Sequence, residues 1–193
     1  MVKIDKVKEY LTKFMEALQS TDLSELDKII GLLAEARKGD KQIFVMGNGG
    51  SATLASHFAC DLGKGTLQDP YDENEKRFRV ISLTDNAALM TAYSNDLAYE
   101  HVFSQQLKNL VREGDVVIGI SSSGKSENII NAIKTAKDRK AKTIGLVGFD
   151  GGRLKDLVDF KVWVNKHDYG MVEDTHSILQ HMICSILKER IKN

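Results

Sequence analysis

Between Ile43 and Asp61 the chain reads IFVMGNGGSATLASHFACD, a short apolar run, three glycines within four residues, and then a helix-patterned stretch. This predicts a buried strand over Ile43–Met46, a turn over Gly47–Gly50 and a helix opening at Ser51. Glycines let the backbone approach a ligand closely, and Ser51 with the free N–H groups of the first helical turn would face whatever sits there. A helix start of this kind attracts anions. His57 and Asp61 stand four apart, so they share one face of that helix. A phosphate cradle and an imidazole/carboxylate pair are therefore expected on one short element.

The same logic recurs downstream. A strand over Val116–Ile120 runs straight into Ser121-Ser122-Ser123-Gly124-Lys125-Ser126 and then a helix over Glu127–Asp138, with hydroxyls replacing glycines as the chief anion donors. Three more strands are expected over Phe78–Leu83, Thr143–Val147 and Phe160–Val164. Ile4, Val7, Leu11, Phe14, Met15 and Leu18 follow helical spacing, and a second helix is expected from Leu23 to Arg37, stopping at Gly39. These two helices precede the first strand, so they pack outside the sheet or against another subunit. A polar loop over Gly63–Lys76 holds Pro70, the only proline. After Thr84-Asp85 come a short helix, a turn at Ser94-Asn95-Asp96 and a longer helix to Val111; the last helix is expected over Asp174–Ile191. Strands alternating with helices give an α/β fold, a five-stranded parallel sheet with helices on both faces. Ligands bind such sheets at the strands' carboxyl ends, where both loops lie.

With 193 residues, 42% of them hydrophobic, the chain can bury one good core as a single domain. Lys+Arg and Asp+Glu balance at 27 each, so no overall field draws it to nucleic acid or to an anionic membrane. Its partner is expected to be a small molecule or another protein. Cys60 and Cys184 sit among apolar helix residues and read as buried free thiols of a reducing compartment. No apolar run approaches the roughly 18 to 20 residues of a membrane span, and no signal peptide is recognisable, so a cytoplasmic location is expected.

Two pattern matches point elsewhere and fall short. Gly119–Ser126, GISSSGKS, fits the P-loop expression, but only two strands follow it, Gly119 reads as strand, and Gly47–Ser51 is left without a purpose. Gly47, Gly49 and Ala52 fit the dinucleotide fingerprint, but that fingerprint wants an acid about 20 residues on. Asp85 lies 38 positions after Gly47, and the serine loop stays unexplained. Two oxyanion-binding turns in one small sheet suit a sugar phosphate better than NAD.

The segments GNGGSA, HFACD, SNDLAYEHVF, ISSSGKS and EDTHSILQH, in this order, resemble the sugar isomerase (SIS) domain family in its phosphoheptose (sedoheptulose 7-phosphate) isomerase branch. The resemblance spans nearly the whole chain. It implies one SIS domain over residues 1–193 with a helical extension over about 1–39, a flavodoxin-like three-layer sandwich, and a homotetramer with active sites between subunits. It places substrate contacts at Asn48, Gly49, Gly50, Asn95, Asp96 and Glu173, and the phosphate at Ser121, Ser122, Ser123 and Ser126 with Ser51 nearby. Asp61 and His181 match its acid/base pair, and His57, Asp61, Glu173 and His181 match its zinc ligands. Asp61 stands for the family's usual glutamate, Glu173 for a glutamine, Lys125 for an asparagine, and Gly170 for an aspartate of some members.

The implied reaction converts sedoheptulose 7-phosphate to D-glycero-D-manno-heptose 7-phosphate through an enediol. A base takes a proton from one carbon and returns it to the next, which a carboxylate and an imidazole can do. A zinc ion would polarise the carbonyl. Another ketose phosphate is an alternative substrate. Some relatives are instead non-enzymatic binding tetramers, among them a protein that associates with the bacterial replication initiator, and these tend to lose the acid/base residues; this chain keeps His57, Asp61 and His181.

Eight residues of straight helix separate Glu173 from His181 by roughly 12 Å, too far for one ion. Glu173 lies in a non-helical lead-in, or the two reach the ion from different subunits, or only one ligates; sites between subunits favour the second option. His176 is expected to hydrogen-bond and not to ligate, His101 and His167 to be structural or exposed, and Trp163 to be core.

Overall fold

The computed structural model describes residues 4–192. Five strands, β1 (Gln42–Met46), β2 (Arg79–Ser82), β3 (Val116–Ser121), β4 (Lys142–Gly148) and β5 (Phe160–Val164), form one parallel sheet in the order β2-β1-β3-β4-β5. The apolar runs of β1 and β3 have buried neighbours on both faces, as an interior parallel strand requires. On one face Ile43, Val45, Ile118 and Leu146 pack against helices α2 (Leu26–Lys38), α3 (Gly50–Cys60) and α8 (Tyr169–Arg190) through Ile29, Leu33, Phe58, Leu179 and Ile183. On the other, Phe44, Met46 and Val117 belong to one cluster with α5 (Val102–Leu110), α6 (Glu127–Asp138) and the short α7 (Leu154–Leu157) through Phe103, Leu107, Ile129, Ile133 and Leu154. Each such side chain contributes about 1.5–3 kcal/mol on burial. The three layers and five parallel strands expected from the sequence are those observed.

In this strand order the chain leaves β1 for β2 on one side and returns to β3 on the other, so a crevice opens beyond the carboxyl ends of β1 and β3. The turns that follow β1 and β3 are GNGGS and SSSGKS. Topology alone therefore brings these two turns together.

Several local expectations need correcting. Ser94-Asn95-Asp96 is not a turn: α4 (Ala87–Asp96) continues through it, capped at its start by Asn86, and the chain breaks at Leu97-Ala98, where Ala98 is extended. Nothing in Ser-Asn-Asp forbids helix, and the helix stops only where Leu97 leaves helical conformation. The last helix begins at Tyr169, because the Asp168 carboxylate accepts the Met171 N–H at 3.1 Å and Gly170 falls in the tolerant first turn. Glu173 is therefore helical, and the non-helical lead-in is excluded. Cys60 is exposed rather than buried. Trp163 is half-buried on the edge strand, its indole N–H donating to the Phe149 carbonyl at 3.0 Å and the Lys155 ammonium 4.0 Å over its ring. Helix α1 (Ile4–Gln19) lays an apolar stripe in the open: Ile4, Val7, Leu11 and Met15 are all exposed.

Candidate active site

After β1, Gly49 takes φ 54° and ψ −123°, a conformation that only glycine adopts without strain. This sharp turn points the start of α3 into the crevice, and Ser126 delivers the start of α6 from the other side. Neither helix carries a side-chain cap among the described residues, so their first N–H groups remain open to a ligand. Between them lies a cavity of about 150 Å³ lined by Asn48, Ser51, Ser121, Ser122, Ser123 and Ser126, with Tyr169 and Glu173 at its edge. Ser121 and Ser126 share a hydroxyl hydrogen bond at 3.0 Å. The Ser122 hydroxyl is buried with no partner among the described residues. A buried donor without an acceptor is costly; a phosphate oxygen would satisfy it. Asn48 is pinned by a reciprocal amide pair with Asn128 (2.9 and 2.8 Å) and by the Tyr99 hydroxyl, which donates at 2.8 Å.

A second cavity, about 180 Å³, adjoins the first, sharing Ser51 and Glu173 with it and reaching Gly50, His57 and His176. The Glu173 carboxylate lies directly on Gly50: a Cβ added there would stand 2.5 Å from Oε2. His176 is fully buried and donates through Nε2 to the Val147 carbonyl at 3.2 Å, the hydrogen bond expected of it. Burial pushes its pKa down to about 4.

Beyond Cys60 helix α3 widens into a π turn (Asp61–Gly65), closed by the Thr66 N–H reaching back to the Asp61 carbonyl at 3.1 Å. π turns of this kind concentrate at functional sites. Here the turn sets Asp61 Oδ2 3.4 Å from His57 Nε2 and 3.6 Å from Nε2 of His181 on α8, while the two imidazole nitrogens are 3.4 Å apart. Ligands about 2.0–2.1 Å from a tetrahedral zinc are about 3.3–3.5 Å from one another. The triangle has that size, and its chemistry, two imidazoles and a carboxylate, leaves a position for substrate. The residues present fit a zinc ion. All three side chains remain partly exposed, so the corner opens outward.

Glu173 is not part of this triangle; among the described residues the only cluster with metal-ligand spacing is His57, Asp61 and His181. His181 reaches the other two within one chain, so no second subunit is needed to bring these three together. Asn95 and Asp96 are exposed at the end of α4, bonded to each other at 2.9 Å, and line neither cavity. Lys125 turns away from the serine loop to pair with Asp150 at 2.9 Å, and Gly119 sits inside β3; neither fits a P-loop. One neighbour of the triangle was not anticipated: Gln180, fully buried, donates through Nε2 to Asp61 Oδ2 at 2.7 Å. In the sequence it is a polar residue on the apolar stripe of α8, and that mismatch is its only signal.

Residues 7–148 match the SIS domain family profile. Phosphoheptose isomerase of Geobacter metallireducens is 37% identical over 176 residues, covering 91% of this chain and 90% of that protein. Phosphoheptose isomerase of Aliarcobacter butzleri is 36% identical, covering 96% and 93%. Among solved structures, phosphoheptose isomerase from Neisseria gonorrhoeae superposes with a TM-score of 0.86 at 29% identity over 96% of this chain and 98% of that one. The Francisella tularensis enzyme gives 0.88 at 25% identity over 98% and 100%. A crevice built from two helix-opening turns beside an imidazole/carboxylate corner thus sits in a chain that belongs to the SIS domain family, in its phosphoheptose isomerase branch.

Proposed function

We propose that the protein is an aldose–ketose isomerase converting sedoheptulose 7-phosphate to D-glycero-D-manno-heptose 7-phosphate. The observation that carries this is the junction of two sites: a phosphate-sized cradle with open helix N–H groups and an unpartnered Ser122 hydroxyl, adjoining the His57/Asp61/His181 corner. Its relatives bear that enzyme's name over nearly their whole length.

In this reading Ser121, Ser122, Ser123 and Ser126 donate to the phosphate with the N–H groups of α3 and α6, and Ser51 stands beside them. Phosphate binding energy then positions the reactive end of the sugar. Asn48, Gly50 and Glu173, which line the two cavities, hold the sugar chain together with Gly49 in the turn between Asn48 and Gly50. Asn95 and Asp96, remote within one chain, are assigned to a substrate held by a neighbouring subunit. Asp61 and His181 form the acid/base pair: one takes the C1 proton of the ketose, and the pair returns a proton to C2 as the carbonyl moves to C1. His57, Asp61 and His181 would hold a zinc ion, which when bound supplies a Lewis acid for the carbonyl oxygen. Glu173 is assigned to substrate and not to metal.

The assembly is a homotetramer in this reading, with the exposed stripe of α1 covered by a second copy. One SIS domain spans the chain, since β5 and α8, beyond the matched residues, complete the same sheet and the same buried face. Two free thiols suit a reducing cytoplasm, and no described helix is long and apolar enough to cross a membrane.

The test is incubation of purified protein with a panel of ketose phosphates, the products read by NMR. Sedoheptulose 7-phosphate is expected to turn over at least about tenfold faster than pentulose or hexulose phosphates, since even single substrate contacts change rates by about that factor. A better hexulose phosphate would reassign the sugar, and no turnover of any would return the chain to the binding tetramers.

A further inference from the structure

We infer that Gln180 is a positioning residue of this site: its side-chain amide fixes Asp61 Oδ2 at the corner shared with His57 and His181. The inference rests on the isomerase reading and adds to it a residue outside the reacting set.

Three observations support it. Gln180 is wholly buried, and beside a weak 3.9 Å contact from its Nε2 to Cys184 Sγ its polar contact among the described residues is the 2.7 Å hydrogen bond to Asp61 Oδ2. That oxygen, and not Oδ1, is the one that faces both imidazoles, at 3.4 and 3.6 Å. Finally, Oε1 of the same amide is buried without a partner among the described residues. A leucine or methionine would fill the site without that desolvation cost, so packing does not account for a glutamine here. The donor on its other arm does.

Geometry explains why the donor is needed. The Asp61 carboxylate turns about a broad sp³–sp² torsion, and the π turn that carries it sits at the open end of α3. Left alone, Oδ2 would swing out of the triangle. Gln180 and His181 are consecutive on α8, about 100° apart around its axis. One points into the core and the other to the mouth, so a single helix grips the carboxylate from behind and presents the imidazole in front. An amide N–H also suits an ionised carboxylate, which can only accept. Groups that orient a ligating or acid/base carboxylate in this way typically matter by about 10–100-fold.

The experiment compares wild type with Gln180→Met, which keeps the length and loses the donor, and with Gln180→Leu should the first fail to fold. Three quantities are read: kcat and KM for sedoheptulose 7-phosphate, zinc affinity by chelator competition, and the thermal midpoint of the metal-stripped protein. The expected result is a kcat lower by about 10–100-fold, KM within about threefold, zinc affinity weaker by about tenfold or more, and a midpoint unchanged or raised because the orphan oxygen is gone. In an Asp61→Asn background Gln180→Met is expected to weaken zinc no further, since Gln180 acts through that carboxylate. A folded variant with wild-type kcat and zinc affinity would overturn the inference, as would a loss that follows the thermal midpoint alone or adds fully to that of Asp61→Asn. A wild type that binds zinc but isomerises nothing defeats the isomerase reading while the zinc affinities still decide Gln180. A wild type that isomerises without zinc leaves the decision to kcat against KM, and one that does neither overturns both.

Discussion

Zinc should stabilise the folded chain through three side chains of one subunit, and the size of the effect can be worked out in advance. The corner distances of 3.4, 3.4 and 3.6 Å already match the edges of a zinc tetrahedron, so binding requires little rearrangement. At free zinc about 100-fold above Kd, linkage adds about 2.7 kcal/mol to the stability. For a chain of this length each kcal/mol moves the thermal midpoint by about 2–4 °C, so metal-stripped protein should gain about 5–11 °C when zinc is restored. A substitution that weakens zinc about 100-fold leaves only about 0.4 kcal/mol at the same zinc concentration, a gain of about 1–2 °C. His57→Ala, Asp61→Asn and His181→Ala should each show this collapse, whereas Glu173→Gln, outside the triangle, should keep most of the gain. Differential scanning calorimetry on stripped protein, with zinc titrated back, reads all four. Because the three ligands belong to one chain, light scattering should find the same mass with and without chelator. No zinc-dependent gain in wild type, or a gain lost as fully in Glu173→Gln as in Asp61→Asn, would refute the assignment.

Three shorter predictions follow from the same geometry. Asp61→Glu lengthens the side chain by about 1.5 Å in a triangle that already fits its ion; misplacements near 1 Å can cost about 100-fold, so kcat/KM should fall, and a rise would show that the short carboxylate is a compromise. Ser122→Ala should leave the stability of the free protein unchanged or slightly raised while KM rises about tenfold or more, since it removes an unpartnered hydroxyl from the empty cradle and a charge-assisted hydrogen bond from the loaded one; equal KM would remove Ser122 from the phosphate site. For His176 the folded pKa, about 4, lies below the ordinary 6.5, so the folded state resists the proton that the unfolded chain accepts. The associated stability is complete above about pH 6.5 and is lost as pH falls toward 4, by about 3 kcal/mol. Denaturant unfolding at pH 7.5 and 4.5 should show this drop in wild type and a smaller one in His176→Gln; identical drops would contradict it.

The fold and most of the cradle were legible because they rest on short-range rules. Buried parallel strands must be apolar on both faces, and a strand leading straight into a Gly- or Ser-rich turn and a helix fixes where an anion can sit. The start of α8 was misplaced because a cap outside the apolar pattern, Asp168, sets where that helix begins, and the end of α4 because Ser94-Asn95-Asp96 suits a turn and a last helical turn alike. The corner was half legible. The spacing of His57 and Asp61 showed one face, but no local rule states that α8 crosses the end of α3, so His181 entered only through family resemblance, and the π turn that aims Asp61 has no sequence signature of its own. Gln180 was missed for the same reason: its partner lies 119 residues away in the chain. Glu173 shows the opposite case, a residue matched to a ligand position that the fold places against Gly50 instead.

The most direct test of the central claim is to run the isomerisation of sedoheptulose 7-phosphate in deuterated water and locate the label by NMR. Proton transfer by Asp61 and His181 through an enediol predicts solvent deuterium at C2 of the aldose product, with no product from Asp61→Asn or His181→Ala. Turnover undiminished in Asp61→Asn and His181→Ala would contradict the acid/base role given to this corner; protium at C2 by itself would not, since one base can carry the same proton from C1 to C2 before it exchanges.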